Sequence, residues 1–314
     1  MLARLPAAPS AFAFAALATA VARAAFPDPG PASPPQRTLL VLGEDWSDIG
    51  NTCALPGGRG PPSPPYADGV WSNGRLWSQV AAEKLQLGVY TAAYACSTTA
   101  NRVVPGGLPS QGLPTPPRTY GAVPANVLAV FAGANDFFIN NNSKARFSAR
   151  RVVHAVSRIP ATSGGRLLTL FFELPPLEAF PHVAGGSEDL KFKAKNWTLI
   201  FNRVLHKEAR ALASGDLTGV PRVVDVFPTY EFFRNSLANF KVRVAPCLTF
   251  GSAVSGTSRI DTMAEPESAP LGSLNFCPNP DDHIFWDDLH FTAAVHKILG
   301  NSVAARLQPL LSIG

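Results

Sequence analysis

The chain has 314 residues, of which 46% are hydrophobic and 16% are charged. This balance provides enough apolar material for a packed core and excludes a disordered acidic or basic tail protein. The formal net charge is +5, but the 27 Lys and Arg residues are dispersed and form no basic block, so nothing here indicates nucleic-acid binding. The 25 glycines and 30 prolines predict many loops.

The N-terminal segment has the character of a secretory leader. Residues 1–24 contain two arginines, no acidic residue and an apolar run from Ala11 to Ala22. That run is shorter than the roughly 20 residues that a bilayer span requires, and Ala22-Arg23-Ala24 has the small-x-small form of a signal-peptidase site. We interpret residues 1–24 as a signal peptide, with an organelle transit peptide or an unstructured tail as alternatives. We therefore expect a secreted, extracellular protein without a stable membrane span.

Residues 25–37 form a proline-rich spacer, and residues 38–314 are predicted to be a single domain. Five short apolar runs alternate with helical patterns, which predicts an α/β fold: a three-layer α/β/α sandwich around a parallel five-stranded sheet. The predicted strands are Thr38–Gly43, Val89–Ala95, Val127–Ala132, Leu167–Leu174 and Arg222–Val226. The predicted helices lie within Ser72–Leu87, Leu190–Ala213 and Thr292–Leu307. In such sheets, ligands bind beyond the carboxyl ends of the strands.

The cysteines indicate disulfide bonding rather than metal binding. The four positions are Cys53, Cys96, Cys247 and Cys277. Since none has a CxxC or zinc-site spacing, we expect no metal, and an even count in a secreted chain favours disulfides. Cys247–Cys277 is the preferred pair, and Cys53–Cys96 is a less favoured one. The N-glycosylation acceptor pattern occurs at Asn141 and at Asn196.

Polar motifs lie where the predicted strands end. Gly43–Asn51 (GEDWSDIGN) follows the first strand, Cys96–Thr99 (CSTT) the second and Gly133–Asp136 (GAND) the third. Phe285–Thr292 (FWDDLHFT) precedes the last helix. Each motif is weak alone, but the carboxyl ends of parallel strands meet at one edge of a sheet. The motifs are therefore expected to form one site.

In order and placement, these motifs resemble those of the GDSL (SGNH) ester hydrolase family, especially its fungal secreted, acetylesterase-like members of the carbohydrate-esterase type. Gly43–Asn51 is similar to the family's Gly-Asp-Ser-Leu-Ser-Asp-x-Gly-Asn, Gly133–Asp136 to its Gly-x-Asn-Asp, and Phe285–Thr292 to its Phe-Trp-Asp-x-x-His-Pro-Thr. Pro64–Trp77 also resembles the family's Ser-Asn-Gly-x-x-Trp segment. The resemblance implies an SGNH, flavodoxin-like fold, hydrolysis of small-molecule or polysaccharide carboxylic esters, and no cofactor.

The resemblance also implies three catalytic positions, and one of them departs from the family. Asp287 would orient His290 as the general base. The family's nucleophilic serine falls on Asp45, and the surrounding matches stay in register, so a shift cannot restore the serine. Assigning the nucleophile to Ser47 would break those matches.

Three further residues are implied as oxyanion-hole or substrate-binding groups: Cys96, Gly133 and Asn135. Asn135 would offer its side-chain N–H to an oxyanion. Cys96 stands where the family has a glycine, and its side chain narrows the approach of the acyl group.

The exchange at Asp45 leaves two functions open. A carboxylate attacks an ordinary ester poorly, because attack yields an anhydride and expels an alkoxide, although it could attack an alkyl carbon or hold a water for His290. Beside His290 it should raise the pKa of the imidazole. One hypothesis is a hydrolase in which Asp45 positions water and Asn135 holds the oxyanion; the other is an inactive secreted protein that binds sugar or lipid. Structural roles are also open: Asp45 as a helix cap, Asn135 and Asp136 in their loop, and His290 as a buried histidine.

Overall fold

The computed structural model describes residues 37–55, 60–100, 125–140, 143–159, 167–250 and 274–312. These residues all belong to one compact unit, Pro34–Gly314. The predicted leader, nearly all of the spacer and the acceptor Asn141 lie outside the described residues.

A parallel five-stranded sheet forms the centre of the fold and confirms the predicted α/β class. Its strands are β1 (Thr38–Gly43), β2 (Gly88–Thr91), β3 (Ala125–Phe131), β4 (Leu168–Phe172) and β5 (Val223–Phe227). They are ordered β2-β1-β3-β4-β5, and every neighbouring pair is parallel. β1 has the predicted bounds. β2 ends at Thr91 rather than Ala95, because the side-chain amide of Asn51 donates hydrogen bonds to the carbonyls of Thr91 and Ala93.

Helices flank the sheet. In the described part of the chain they are α1 (Trp77–Leu85), α2 (Ala134–Phe138), α3 (Ala145–Ser157), α4 (Pro181–Ala184), α5 (Glu188–Ser214), α6 (Thr229–Ser236) and α7 (Ala293–Leu311). α1 packs against α7, and α3 packs against α5. The three predicted helices correspond to α1, α5 and α7, whereas α3 was not predicted. No helix in these ranges is both long and apolar enough to cross a bilayer.

The core is built on aromatic contacts between the sheet and the helices. Phe131 of β3 and Phe172 of β4 stack with ring centroids 4.7 Å apart, and Trp77 of α1 lies 4.6 Å from Phe172. All three side chains are fully buried. Truncating a buried aromatic side chain typically lowers the stability of a fold by about 3–5 kcal/mol. This packing therefore holds in place the strand ends that the polar motifs follow.

A two-stranded antiparallel sheet is separate from the main sheet. It pairs β6 (Leu248–Phe250) with β7 (Leu274–Phe276). The Cys247–Cys277 disulfide joins the residues just outside these strands, with the Cα atoms 4.8 Å apart, and confirms the preferred pair. The Cys53–Cys96 pairing is wrong, because both of these thiols are free.

Candidate active site

The turn after β1 is held by one buried carboxylate. Asp48 accepts hydrogen bonds from the backbone N–H groups of Gly50, Asn51 and Thr52. It also accepts the N–H of Ala95, which ties the turn to the loop after β2. The Ser-Asp-x-Gly-Asn part of the motif is therefore a scaffold that brings two strand ends together.

Asp45 lies in the short 3₁₀ turn that follows β1, and its side chain is 7% exposed. Its Oδ2 accepts a hydrogen bond from the backbone N–H of Cys96 at 3.0 Å and one from Asn135 Nδ2 at 2.6 Å. The interpretation of Asp45 as a helix cap is wrong, because Asp45 is the first residue of the turn, the N-cap residue is Glu44, and no side chain caps the turn. The carboxylate instead accepts hydrogen bonds from the two N–H groups that the resemblance assigns to the oxyanion hole.

The backbone at Cys96 explains why a glycine suits this position. Its φ is +59°, in the left-handed region that side chains rarely adopt. This conformation aims the N–H of Cys96 at Asp45. Burial, followed by the charge of Asp45, raises the pKa of the Cys96 thiol far above its ordinary value, so Cys96 contributes its backbone rather than a thiolate.

Glu44 is a buried residue of the site to which the sequence analysis assigned no role. Its carboxyl oxygens accept the backbone N–H groups of Gly133, Ala134 and Asn135, at 3.0–3.3 Å. Burial, followed by the charge of Asp45, raises the pKa of Glu44 well above its ordinary value. The N–H of Gly133 is therefore engaged by Glu44 and not aimed at a substrate. Gly133 is needed for its φ of +121° and because a Cβ there would lie 2.6 Å from the ring of Phe201.

The histidine and its partner form a buried pair just before α7. His290 Nδ1 lies 2.7 Å from Asp287 Oδ2, and both side chains are almost fully buried. Asp287 Oδ1 also accepts the backbone N–H of Leu289 at 2.8 Å. Tyr66 donates its hydroxyl to Asp287 Oδ2 at 2.5 Å, and the ring of Trp71 stacks on His290 with centroids 5.1 Å apart.

Tyr66 and Trp71 have a detectable sequence signal, because both belong to Pro64–Trp77, a stretch that resembles the family. The motif gave no role to either side chain. Only the fold shows that the segment passes over the histidine and its carboxylate.

The His290 imidazole faces two carboxylates. Its Nε2 lies 3.5 Å from Asp45 Oδ1, opposite the nitrogen that faces Asp287. Burial favours the neutral imidazole, but the charges and hydrogen bonds of Asp287 and Asp45 outweigh it and raise the pKa of His290 to about 9. Burial also opposes ionisation of Asp287, but contact with His290 holds the pKa of this carboxyl below its ordinary value. His290 is therefore an imidazolium at neutral pH.

Other polar residues of the motifs are structural. Ser47 is fully buried and accepts a hydrogen bond from the indole N–H of Trp77 at 3.1 Å, so it lies in the core and away from the site. Asp136 is also fully buried and accepts the N–H of Thr99 at 2.7 Å and the guanidinium of Arg151 at 3.1 Å. Asp136 therefore ties the start of α2 to the loop after β2 and to α3, rather than holding backbone groups of its own loop as one structural hypothesis proposed.

A small cavity joins these groups. It measures about 20 Å³ and is lined by Glu44, Asp45, Trp46, Cys96, Asn135, Phe138, Ile139, Leu289 and His290. This volume suffices for one water molecule. Within the described ranges, no cluster of three or more His, Cys, Asp or Glu side chains could hold a metal ion. The arrangement can thus place one water beside a carboxylate and an imidazolium.

Comparison with known proteins finds a matching family model and a related fold. The family model for GDSL-like lipases/acylhydrolases matches residues 46–303. A GDSL esterase/lipase of Arabidopsis thaliana is 49% identical over 35 residues, which are 11% of this chain and only 10% of that protein. The carbohydrate acetylesterase Est24 of Sinorhizobium meliloti matches with a TM-score of 0.50 and 13% identity, over 87% of this chain and 99% of that one. A native aryl esterase of M. smegmatis has a TM-score of 0.47 and 15% identity, over 87% and 99% of the two chains.

The fold and the family match together define an SGNH-type α/β protein. The chain belongs to the GDSL-like lipase/acylhydrolase family, since the matched region is well over half of its length.

Proposed function

We propose that this protein is a secreted hydrolase of small carboxylic esters, in which Asp45 and His290 act as a carboxylate–imidazolium pair on one water molecule. The observation that carries the proposal is the position of Asp45. One of its oxygens is held by Cys96 and Asn135, and the other faces His290 Nε2 at 3.5 Å.

The chemistry follows from the protonation states. Asp45 Oδ1 takes a proton from the water, whose oxygen forms a bond to the ester carbonyl carbon. His290 donates its Nε2 proton to the departing alkoxide as the carbon–oxygen bond breaks, which releases an alcohol and a carboxylic acid. The proton on Asp45 then returns to His290. This sequence of steps needs a histidine that is protonated at rest, and the raised pKa of His290 provides it.

The bulky lining of the site favours a small acyl group such as acetyl. The cavity of about 20 Å³ is lined by Cys96, at the position where the family has a glycine, and by Phe138 and Leu289. The fold is shared with a carbohydrate acetylesterase, which agrees with acetylated carbohydrates as the substrate class. Secretion is supported by the character of residues 1–24 and by the disulfide.

A specific observation favours a second candidate, an inactive binding protein. Both N–H groups expected to stabilise an oxyanion already donate to Asp45 Oδ2. A substrate carbonyl would then depend on His290 alone for stabilisation. In this alternative the chain retains the cleft for a sugar or lipid but does not hydrolyse it.

The test compares the purified protein with its Asp45→Ser, Asp45→Asn and His290→Ala variants on p-nitrophenyl acetate and p-nitrophenyl octanoate across pH 5–10. We expect weak acetate hydrolysis by the parent that is constant at neutral pH and falls as pH passes about 9, where His290 deprotonates. Asp45→Asn removes the base and should reduce this rate about 100-fold or more.

Asp45→Ser should need a neutral His290, whereas the parent needs a protonated one. Without the charge of Asp45 the pKa of His290 falls, so the Asp45→Ser rate should rise with pH and exceed the parent rate by about 100-fold or more. A parent rate that is unchanged in Asp45→Asn contradicts the proposed pair. A parent that is no more active than His290→Ala, together with an active Asp45→Ser, establishes the inactive binder.

A further inference from the structure

The acceptor pattern Asn196-Trp197-Thr198 lies in the middle of α5, beside an exposed apolar patch. Asn196 is partly exposed. Side chains three and four positions away on a helix are its neighbours. One of the four is Lys193, which pairs with Asp189, and the other three are Phe192, Leu199 and Ile200, which are 65%, 42% and 46% exposed. We call these three residues the α5 patch. Large apolar side chains that are grouped on a protein surface commonly mark a site that a partner or ligand covers.

Thr198 provides a second, independent observation. It is fully buried, and among the described residues its hydroxyl has no hydrogen-bond partner. A buried hydroxyl without a partner destabilises a fold, and valine would fill the same space without that cost. Packing therefore gives no reason for the hydroxyl, whereas the acceptor pattern requires it.

We propose that Asn196 carries an N-linked oligosaccharide and that the first sugars cover the α5 patch. Pyranose rings have apolar C–H faces that pack on aliphatic and aromatic side chains, so the α5 patch matches this occupant. The Cys247–Cys277 disulfide is consistent with passage through the oxidising compartment where such transfer occurs. The proposal does not depend on the chemistry at Asp45.

The modification is a group transfer from a lipid-linked oligosaccharide diphosphate. A bond forms between Asn196 Nδ2 and the anomeric carbon of the sugar, while the bond from that carbon to the diphosphate oxygen breaks. The lipid diphosphate leaves, and the amide loses one proton. Because Thr198 is buried in the folded chain, the transferase must read its hydroxyl before α5 packs.

The experiment expresses the full chain in a eukaryotic host behind a host secretion signal, so that the result does not depend on residues 1–24. Trypsin cleaves after Lys195 and Arg203 and isolates the peptide 196–203. Peptide mapping is done with and without amidase removal of N-glycans, which is carried out in heavy-oxygen water on the denatured chain before trypsin is added and marks a formerly glycosylated asparagine as a labelled aspartate. The matched variants are Thr198→Ser, which keeps the acceptor pattern, and Thr198→Val and Asn196→Gln, which remove it.

We expect the label in the parent and in Thr198→Ser, and none in Thr198→Val or Asn196→Gln. Thr198→Val produced in bacteria should melt at or above the parent temperature, which separates loss of the glycan from loss of the fold. An unmodified Asn196 in secreted protein with the Cys247–Cys277 disulfide formed overturns the proposal, as does a label that persists in Thr198→Val.

Binding of an apolar dye tests separately whether the sugars cover the α5 patch. Secreted Asn196→Gln should bind more of an apolar fluorescent dye than the secreted parent, and adding Phe192→Ser should lower that binding again. Equal dye binding by the parent and Asn196→Gln would overturn the covering role. Ester hydrolysis should be the same in both proteins, so this result is distinguishable from failure of the proposed catalytic pair.

Discussion

Asp45 stands at the position where the resemblance places the family's nucleophilic serine, and its carboxylate has two oxygens where a serine would have one. At Asp45 one oxygen sits between the N–H of Cys96 and the amide of Asn135, and the other faces His290. Two N–H donors around one oxygen are what an oxyanion hole provides during acyl transfer, and the imidazolium stabilises the second oxygen. Asp45 is therefore well satisfied in its position, while it holds His290 in the protonated state.

Glu44 is predicted to be the support for this arrangement. Replacing it with alanine (Glu44→Ala) would leave the buried N–H groups of Gly133, Ala134 and Asn135 without their acceptor. We expect a loss of about 2–4 kcal/mol in the free energy of unfolding, measured with urea.

The matched control for this substitution is Glu83→Ala. Glu83 is largely exposed, and its ion pair with Arg75 lies on the surface. We expect a change of about 0.5 kcal/mol or less. If Glu44→Ala cost no more than the control, Glu44 would not support the loop.

At the scale of elements, the packing of α7 on α1 positions His290, which precedes α7. The two helices are in close contact at Gly300, where an added Cβ would lie 2.6 Å from the carbonyl oxygen of Trp77 and 2.6 Å from Val80 Cβ. His296 of the same helix is fully buried and accepts the N–H of Trp77. The close contact with α1 holds α7 in place, and α7 in turn positions His290.

Gly300→Ala tests the contact between α1 and α7 through the sign of its effect on the free energy of unfolding. In an exposed helix, alanine is more favourable than glycine by about 1 kcal/mol. Here the Cβ clash should reverse the sign and lower the stability by about 1–3 kcal/mol in urea unfolding. Asn301→Ala, at the exposed neighbouring position, should be neutral or slightly stabilising. A stabilised Gly300→Ala would show that the helices can separate without cost.

At the scale of the whole molecule, the buried imidazolium makes the fold sensitive to alkaline pH. His290 has a pKa of about 9 in the folded chain and about 6.5 when unfolded. Its contribution is thus fully present below about pH 6.5 and is lost as pH rises through about 9. The loss is on the order of 3 kcal/mol, from the same shift.

The prediction is a stability that declines between pH 6.5 and 9 in urea unfolding. His290→Gln should flatten this decline, because no proton is then released on unfolding at that position. His154→Gln, at an exposed position on α3, should leave the decline in place. An equal decline in the parent and in His290→Gln would assign it to other groups.

The parts that the sequence predicted are those with a local or periodic signal. The five strands and helices α1, α5 and α7 were visible as apolar runs and helical spacing, because burial on one face repeats along the chain. α3 has apolar residues at Ala145, Ala149, Val152 and Val156, a signal that could have identified it. The departure at Asp45 was also visible, since it stands in a motif whose other residues keep their register.

The sequence by itself determined the family and the sheet, and it predicted Asp45, Asn135, Asp287 and His290 as site residues. Only the tertiary structure decided how these residues meet. It placed the Asp45 carboxylate against the side-chain amide of Asn135, paired the N–H of Gly133 with Glu44, and left Cys53 and Cys96 unpaired. The physical reason is that hydrogen-bond partners and pKa values depend on distances between segments far apart in the chain. Such distances exist only once the strands have been brought to one edge of the sheet.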